Sequence, residues 1–238
     1  MLPGNKLKKI KSWKIFKMIP LGAVIPYTCV FLYQCMVYFF TELYVNQLKE
    51  KHDLSLEFDH RIPVVSWFIY IYFLCYLFWI FNILLSGKIS KEHFYKVITT
   101  SFISITICGI IFIIFPTTIQ RPEIKTVSIS TFLLNYLYHI DHPVNLFPSI
   151  HCLSSWLAYI AIRNQKEISI WYRLFSFAFA VLVFISTQVL KQHYIIDVLA
   201  GIILVEIVWF FQNKTDSFIN RKLKSFLEII NLKLNIHW

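Results

Sequence analysis

Six runs of apolar residues, separated by short charged segments, set the pattern of this chain. They fall approximately over 20–43, 63–86, 97–115, 149–162, 171–190 and 194–212. The second and third contain no charged residue. About 20 apolar residues in a helix cross a bilayer core, and a helix satisfies its own backbone there. The pattern therefore predicts an all-α, polytopic membrane protein, a six-transmembrane-helix bundle. The fourth run falls short of that ~20-residue length by about five. It is expected to start in the headgroup region or to continue past Arg163. Residues 1–18 read as a basic cytoplasmic or interfacial N-terminus, 19–213 as the membrane domain, and 214–238 as a cytoplasmic tail. In the tail, Ile219, Leu223, Phe226, Leu227, Ile230 and Leu234 recur at helical spacing, with Arg221, Lys222, Lys224 and Glu228 between them. That is the signature of a helix lying on the inner leaflet.

Composition sharpens this picture. With 57% hydrophobic and only 15% charged residues, the chain is too apolar for a soluble domain of its 238-residue length. The net charge of +10 points to basic loops on an anionic leaflet rather than to nucleic acid, because no basic and stacking-aromatic interleave accompanies it. With the N-terminus inside, 17 of the 23 Lys and Arg fall in inside segments, a strong positive-inside bias. The five cysteines all lie in apolar runs without a C-x-x-C, so they read as buried thiols. The basic N-terminus leads into an apolar run without a small-residue cleavage site, which reads as a retained span and suits a bacterial cell membrane.

In this topology the candidate chemistry gathers on the extracytoplasmic face. His151 opens the fourth run, in Phe147-Pro148-Ser149-Ile150-His151. His193 stands before the sixth, in Lys191-Gln192-His193-Tyr194-Ile195-Ile196-Asp197. Asp197 follows His193 by four residues, one helical turn, so the acid can sit beside the imidazole. Arg121-Pro122 lies in the loop after the third run. Two histidines, one with its own carboxylate, suit a nucleophile and a general acid. Ser149 can cap the fourth helix, whose N-terminal amides make an anion site. His139, Asp141 and His142 form a second polar group, either a metal site with His151 or a loop that orders the entrance; the loop is favoured, because no zinc motif accompanies it. Glu206 lies 13 residues past His193, about 20 Å along a helix, too far to share the site.

Arg121-Pro122, Pro148-Ser149-Ile150-His151, and Ser186 with His193 and Asp197 resemble the three motifs of the type-2 phosphatidic acid phosphatase family, a branch of the lipid phosphatase and vanadium haloperoxidase superfamily. The P-S-x-H and H-Y-x-x-D forms also look like the inositol phosphorylceramide synthase branch. Three positions depart from the pattern: Ile114 stands where the family has Lys, Ile150 where it has Gly, and Thr187 where it has Arg. The resemblance implies a phosphohistidine at His193, Asp197 on the other ring nitrogen, and His151 as proton donor and later base. Arg121, Ser149, Ile150 and Lys191 would hold phosphate, Lys191 replacing a missing cation. It also implies no metal and no cofactor. The expected activity is hydrolysis of a lipid phosphate or diphosphate. One alternative is a lipid phosphotransferase with an alcohol acceptor; another is a non-catalytic lipid-binding or transport protein. The expected partners are that lipid substrate and membrane lipids, with no nucleic acid.

Overall fold

The computed structural model describes residues 20–214, 218–236 and 238. The basic N-terminal segment 1–18 lies outside the described residues. Among those described, helices dominate. The long ones are α1 (Leu21–Asn46), α3 (Ile69–Ile89, entered through a 3₁₀ turn at Ser66–Phe68), α4 (Lys91–Ile114), α6 (Ile150–Arg163), α7 (Ile170–Val189), α8 (Ile195–Lys214) and α9 (Phe218–Lys233). Two shorter helices, α2 (Glu57–Arg61) and α5 (Ile129–Ile140), lie in the connections after α1 and α4. Two-residue strands β1 (His52–Asp53) and β2 (Thr117–Thr118) pair in parallel and clip those two connections together.

Among the described residues, five stretches are long and apolar enough to cross a membrane: α1, Ser66–Ile89, α4, α7 and Ile195–Gln212. The sixth expected span is not among them. α6 has 14 residues, about 21 Å of helix, and Asn164 ends it, so it does not run on past Arg163. The reason lies in its position. α6 is the inner helix, packed against α3, α4, α7 and α8, and ten of its residues are buried. Hydropathy registers such a buried helix as it registers a span, although its apolar side chains face other helices. Ser154, Ser155, Ala158 and Ala161 keep it slim. At its far end Arg163 Nη2 donates to Glu206 Oε2 at 2.9 Å, and Trp156 Nε1 donates to Glu206 Oε1 at 2.7 Å. The intramembrane carboxylate is thus partnered, as its cost in an apolar medium requires.

Two glycines mark close helix approaches. A Cβ on Gly109 would lie 2.6 Å from Val37 Cγ1, so α1 and α4 need that position bare. A Cβ on Gly201 would lie 2.6 Å from the Ser149 carbonyl, and this contact brings the N-terminal turn of α8 against that of α6. α9 is amphipathic. Leu227 and Asn231 are buried, while Phe218, Phe226 and Leu232 are exposed. Asn231 Nδ2 donates to Gly22 O at 2.8 Å, and Thr99 Oγ1 donates to Asn220 Oδ1 at 2.9 Å, seating the helix on α1 and α4.

Candidate active site

The N-termini of α6 and α8 meet at the end of the bundle that carries α2, β1, β2 and α5. Ser149 is the N-cap of α6. Its Oγ accepts from Cys152 N at 3.3 Å, and its own N–H donates to Asp197 O at 3.0 Å. The cap leaves the Ile150 and His151 amides at the helix mouth, where no intrahelical carbonyl can reach them. The chain before α8 is folded back on α7: Gln192 N and His193 N both donate to Thr187 O, at 2.9 and 3.2 Å. Thr187, which stands where the family pattern has Arg, is buried and holds the histidine loop through its carbonyl.

This folding places His151 and His193 with ring centroids 6.0 Å apart. Asp197 in the first turn of α8 has Oδ2 3.6 Å from His193 Nδ1, and the same oxygen accepts from Tyr194 N at 2.8 Å. The acid therefore closes its own helix end, as an acidic residue in a first turn does, and faces the imidazole as well. Asp197 Oδ1 and His193 Nδ1 are both buried without a hydrogen-bond partner. A shift of a few tenths of an ångström turns the 3.6 Å approach into a hydrogen bond, and sites of this kind tighten when substrate binds.

A second acid holds the same loop. Asp59 is buried. Its Oδ1 accepts from Ile195 N at 3.0 Å and its Oδ2 from Leu56 N at 2.8 Å. Lys191, in the left-handed region at φ 51°, sends Nζ to Asp59 O at 2.8 Å. The structure thus places Lys191 on the connection after α1, bonded to a carbonyl. Burial holds its ammonium below the usual lysine range, against the pull of Asp59.

Arg121 is brought to the site through intermediaries. It donates to the Asp141 carbonyl, to Gln192 Oε1 at 2.8 Å and to Asp141 Oδ2 at 3.4 Å, and its guanidinium lies 4.9 Å from the Tyr138 ring centroid. Asp141 Oδ1 accepts from Tyr38 Oη at 2.5 Å. Burial pushes the Asp141 carboxyl above the usual carboxylate range, although Tyr38 and Arg121 pull the other way. Asp141, Gln192, His151, His193 and Ile150 line a tight chamber of about 10 Å³, room for about one water. Arg121 stands one layer behind its two partners. The chamber shares Tyr38, Tyr72, Asp141, Ile150 and His151 with a larger, mostly apolar cavity of about 430 Å³ between α1, α3, α5 and α6.

Among the expected site residues, the structure brings His151, His193, Asp197, Ser149 and Ile150 together and keeps Arg121 close. Lys191 is directed elsewhere, and Ile114 is exposed at the end of α4. His142 Nδ1 pairs with Glu42 at 2.8 Å while Asp141 faces Arg121, and no metal-holding group of three forms among the described residues. Sequence reasoning passed over Gln192 and the tyrosines around His151. Tyr72 and Tyr76, one turn apart on α3, carried a legible signal, because a shared helix face is set by spacing alone.

The sequence pattern of the PAP2 superfamily matches residues 36–211, most of the chain and every residue of the chamber. A similar protein is the uncharacterized protein MJ0662 of Methanocaldococcus jannaschii, 30% identical over 78 residues. That match covers 33% of this chain and 31% of the other, so the chain spans about a third of that relative's length. No solved structure matches it. With the pattern matched across more than half its length, the chain belongs to the PAP2 superfamily.

Proposed function

We propose that this protein hydrolyses a lipid phosphate or diphosphate without a metal, through a phosphohistidine at His193, on the extracytoplasmic face. The observation that carries this reading is the pair of imidazoles 6.0 Å apart in a small chamber that adjoins an apolar cavity. A phosphoryl group between a nucleophile and a proton donor needs roughly 3 Å of approach on each side. His193 Nε2 bonds to phosphorus as the bond to the leaving oxygen breaks. Asp197 receives the Nδ1 proton of His193 in a hydrogen bond and steadies the charge that develops on the ring. His151 gives a proton to the leaving oxygen. Water then gives a proton to His151 and its oxygen to phosphorus, releasing phosphate and restoring His193. The α6 mouth, with Ser149, receives the anionic oxygens. Arg121 adds positive charge from behind Asp141 and Gln192, and a small displacement of Asp141 would let its guanidinium fork onto phosphate.

A second reading is transfer to a lipid alcohol in place of water. The cavity beside His151 favours it, since an apolar alcohol would find there a wall of Phe31, Phe73 and Ile140. One experiment separates the two. The purified protein is given phosphatidic acid, polyprenyl diphosphate and phosphatidylglycerol phosphate in detergent with EDTA, with and without a long-chain alcohol, and the products are separated. Free phosphate in both arms supports hydrolysis; phosphorylated alcohol supports transfer. Both activities should vanish in His193→Ala and His151→Ala. Turnover that requires added Zn²⁺ or Mg²⁺, or that survives both substitutions, overturns the phosphohistidine reading. If no substrate turns over but the lipids still bind, the protein is a lipid-binding member of its family.

A further inference from the structure

His151 sits in an aromatic enclosure built by a helix that contributes none of the three motifs. Tyr72, on α3, lies almost flat against its ring, with centroids 4.5 Å apart at 29°. Tyr76, one turn on, meets it edge-on at 5.9 Å, and Trp79 closes a third side at 5.7 Å. The two phenols also address both nitrogens: Tyr72 Oη is 3.4 Å from Nδ1, and Tyr76 Oη is 3.2 Å from Nε2. The enclosure is held in place. Trp79 Nε1 donates to Ser155 Oγ at 2.8 Å, one turn beyond His151 on α6, and Tyr76 packs edge-on against Trp79 at 4.9 Å.

Such surroundings matter most for the charged ring. A neutral imidazole has one N–H, so one of the two phenols must donate to it. An imidazolium has two, so a phenol oxygen can accept from one nitrogen, in a bond stronger for being charge-assisted, while the other N–H turns to the leaving oxygen. The face of Tyr72 presents π density, which attracts a cation and does little for a neutral ring. In the reaction above, His151 is cationic before it protonates the leaving oxygen and again after it takes the proton of water. Resting on that reading, we infer that Tyr72, Tyr76 and Trp79 form an aromatic cage that stabilises the imidazolium of His151, which makes them positioning residues of its proton transfers.

The test uses whichever lipid phosphate the full-length protein turns over, with kcat and KM followed across pH for wild type, Tyr72→Leu, Tyr72→Phe and Tyr76→Phe. Other ionisable groups facing the chamber are His193, Asp197, Asp141 with Arg121, and Tyr38; all are kept in every variant. Loss of one cage member should lower kcat by about 2- to 30-fold, the range from an exposed to a desolvated cation–π contact, with KM within about twofold. The alkaline limb of kcat, set by the proton donor, should move to lower pH in Tyr72→Leu. Tyr72→Phe keeps the face and should recover most of the loss, while Tyr76→Phe, isosteric and gentle to the fold, should still lose rate. Equal defects in Tyr72→Leu and Tyr72→Phe with an unmoved alkaline limb, or a change confined to KM, overturn the cage. His151→Ala in the same series keeps the two ideas apart: full activity there defeats the proton-donor role given to His151 in the proposed reaction, whereas a dead His151→Ala beside unaffected tyrosine variants defeats the cage alone.

Discussion

Two helices, α6 and α8, open onto one chamber, each with a histidine at its mouth, and their mouths are built differently. The α8 mouth is closed by two carboxylates, Asp197 on Tyr194 N and Asp59 on Ile195 N. Its positive end is thereby neutralised from within. The α6 mouth is closed by one neutral hydroxyl, that of Ser149. The same asymmetry runs through the histidines. His193 has an acid 3.6 Å from Nδ1; His151 has none in contact and is surrounded by aromatic rings. By these charges the α8 end would disfavour an anion in the chamber and the α6 end would favour one. The difference fits the roles proposed above: a nucleophile beside a carboxylate on α8, a proton carrier among rings on α6, and phosphate oxygens at the α6 mouth.

The sharpest way to break this contrast is to remove each ring in turn. His193→Ala should lower turnover by about a thousandfold or more and leave no acid-labile phosphoenzyme after rapid quenching. His151→Ala should cost about 100- to 10,000-fold, yet phosphoenzyme should still form from a substrate with a good leaving group such as p-nitrophenyl phosphate. Equal loss of phosphoenzyme in both variants would erase the assignment. Next comes Asp197→Asn, expected to reduce kcat by about a hundredfold or more while lipid binding, read by thermal shift, survives.

Smaller effects test the helix mouths themselves. Ser149→Ala removes a cap and should lower stability by about 1 kcal/mol, a few degrees in thermal unfolding, and should weaken inhibition by inorganic phosphate. Asp59→Ala should destabilise to a similar degree with no direct effect on phosphate. The smallest effect concerns Asp141. Its carboxyl is raised by burial, so the folded protein keeps a proton that the unfolded chain loses at about pH 3.9. Stability should therefore fall as pH rises from that value through the raised one, and Asp141→Asn should flatten that slope in thermal unfolding between pH 4 and 7.

Much of this was legible in the chain. The spacing of His193 and Asp197 anticipated the acid by the ring, although His193 stands two residues before α8 and meets Asp197 from a loop held by the Thr187 carbonyl rather than along a helical turn. The Ser149 cap followed from its place before an apolar run. Hydropathy found six apolar segments but could not separate α6, which is buried by neighbouring helices, from segments that face lipid. Lys191 illustrates the converse limit. Two residues from His193, it was expected on phosphate, but a left-handed backbone turn sends it to the Asp59 carbonyl. Arg121 and Asp141 meet across 20 residues of connection containing α5, and nothing local announces that encounter. The spacing of Tyr72 and Tyr76 put them on one face of α3, but that this face meets His151 emerges only once α3 and α6 are packed together.

Asp59 carries one more consequence. A single side chain grips the amides of Leu56 and Ile195, stitching the connection after α1 to the threshold of α8. Trimming or grafting that connection, remote as it is along the chain, would slacken the doorway on which His193 hangs, so any attempt to retune this protein by loop exchange has to carry the stitch across intact.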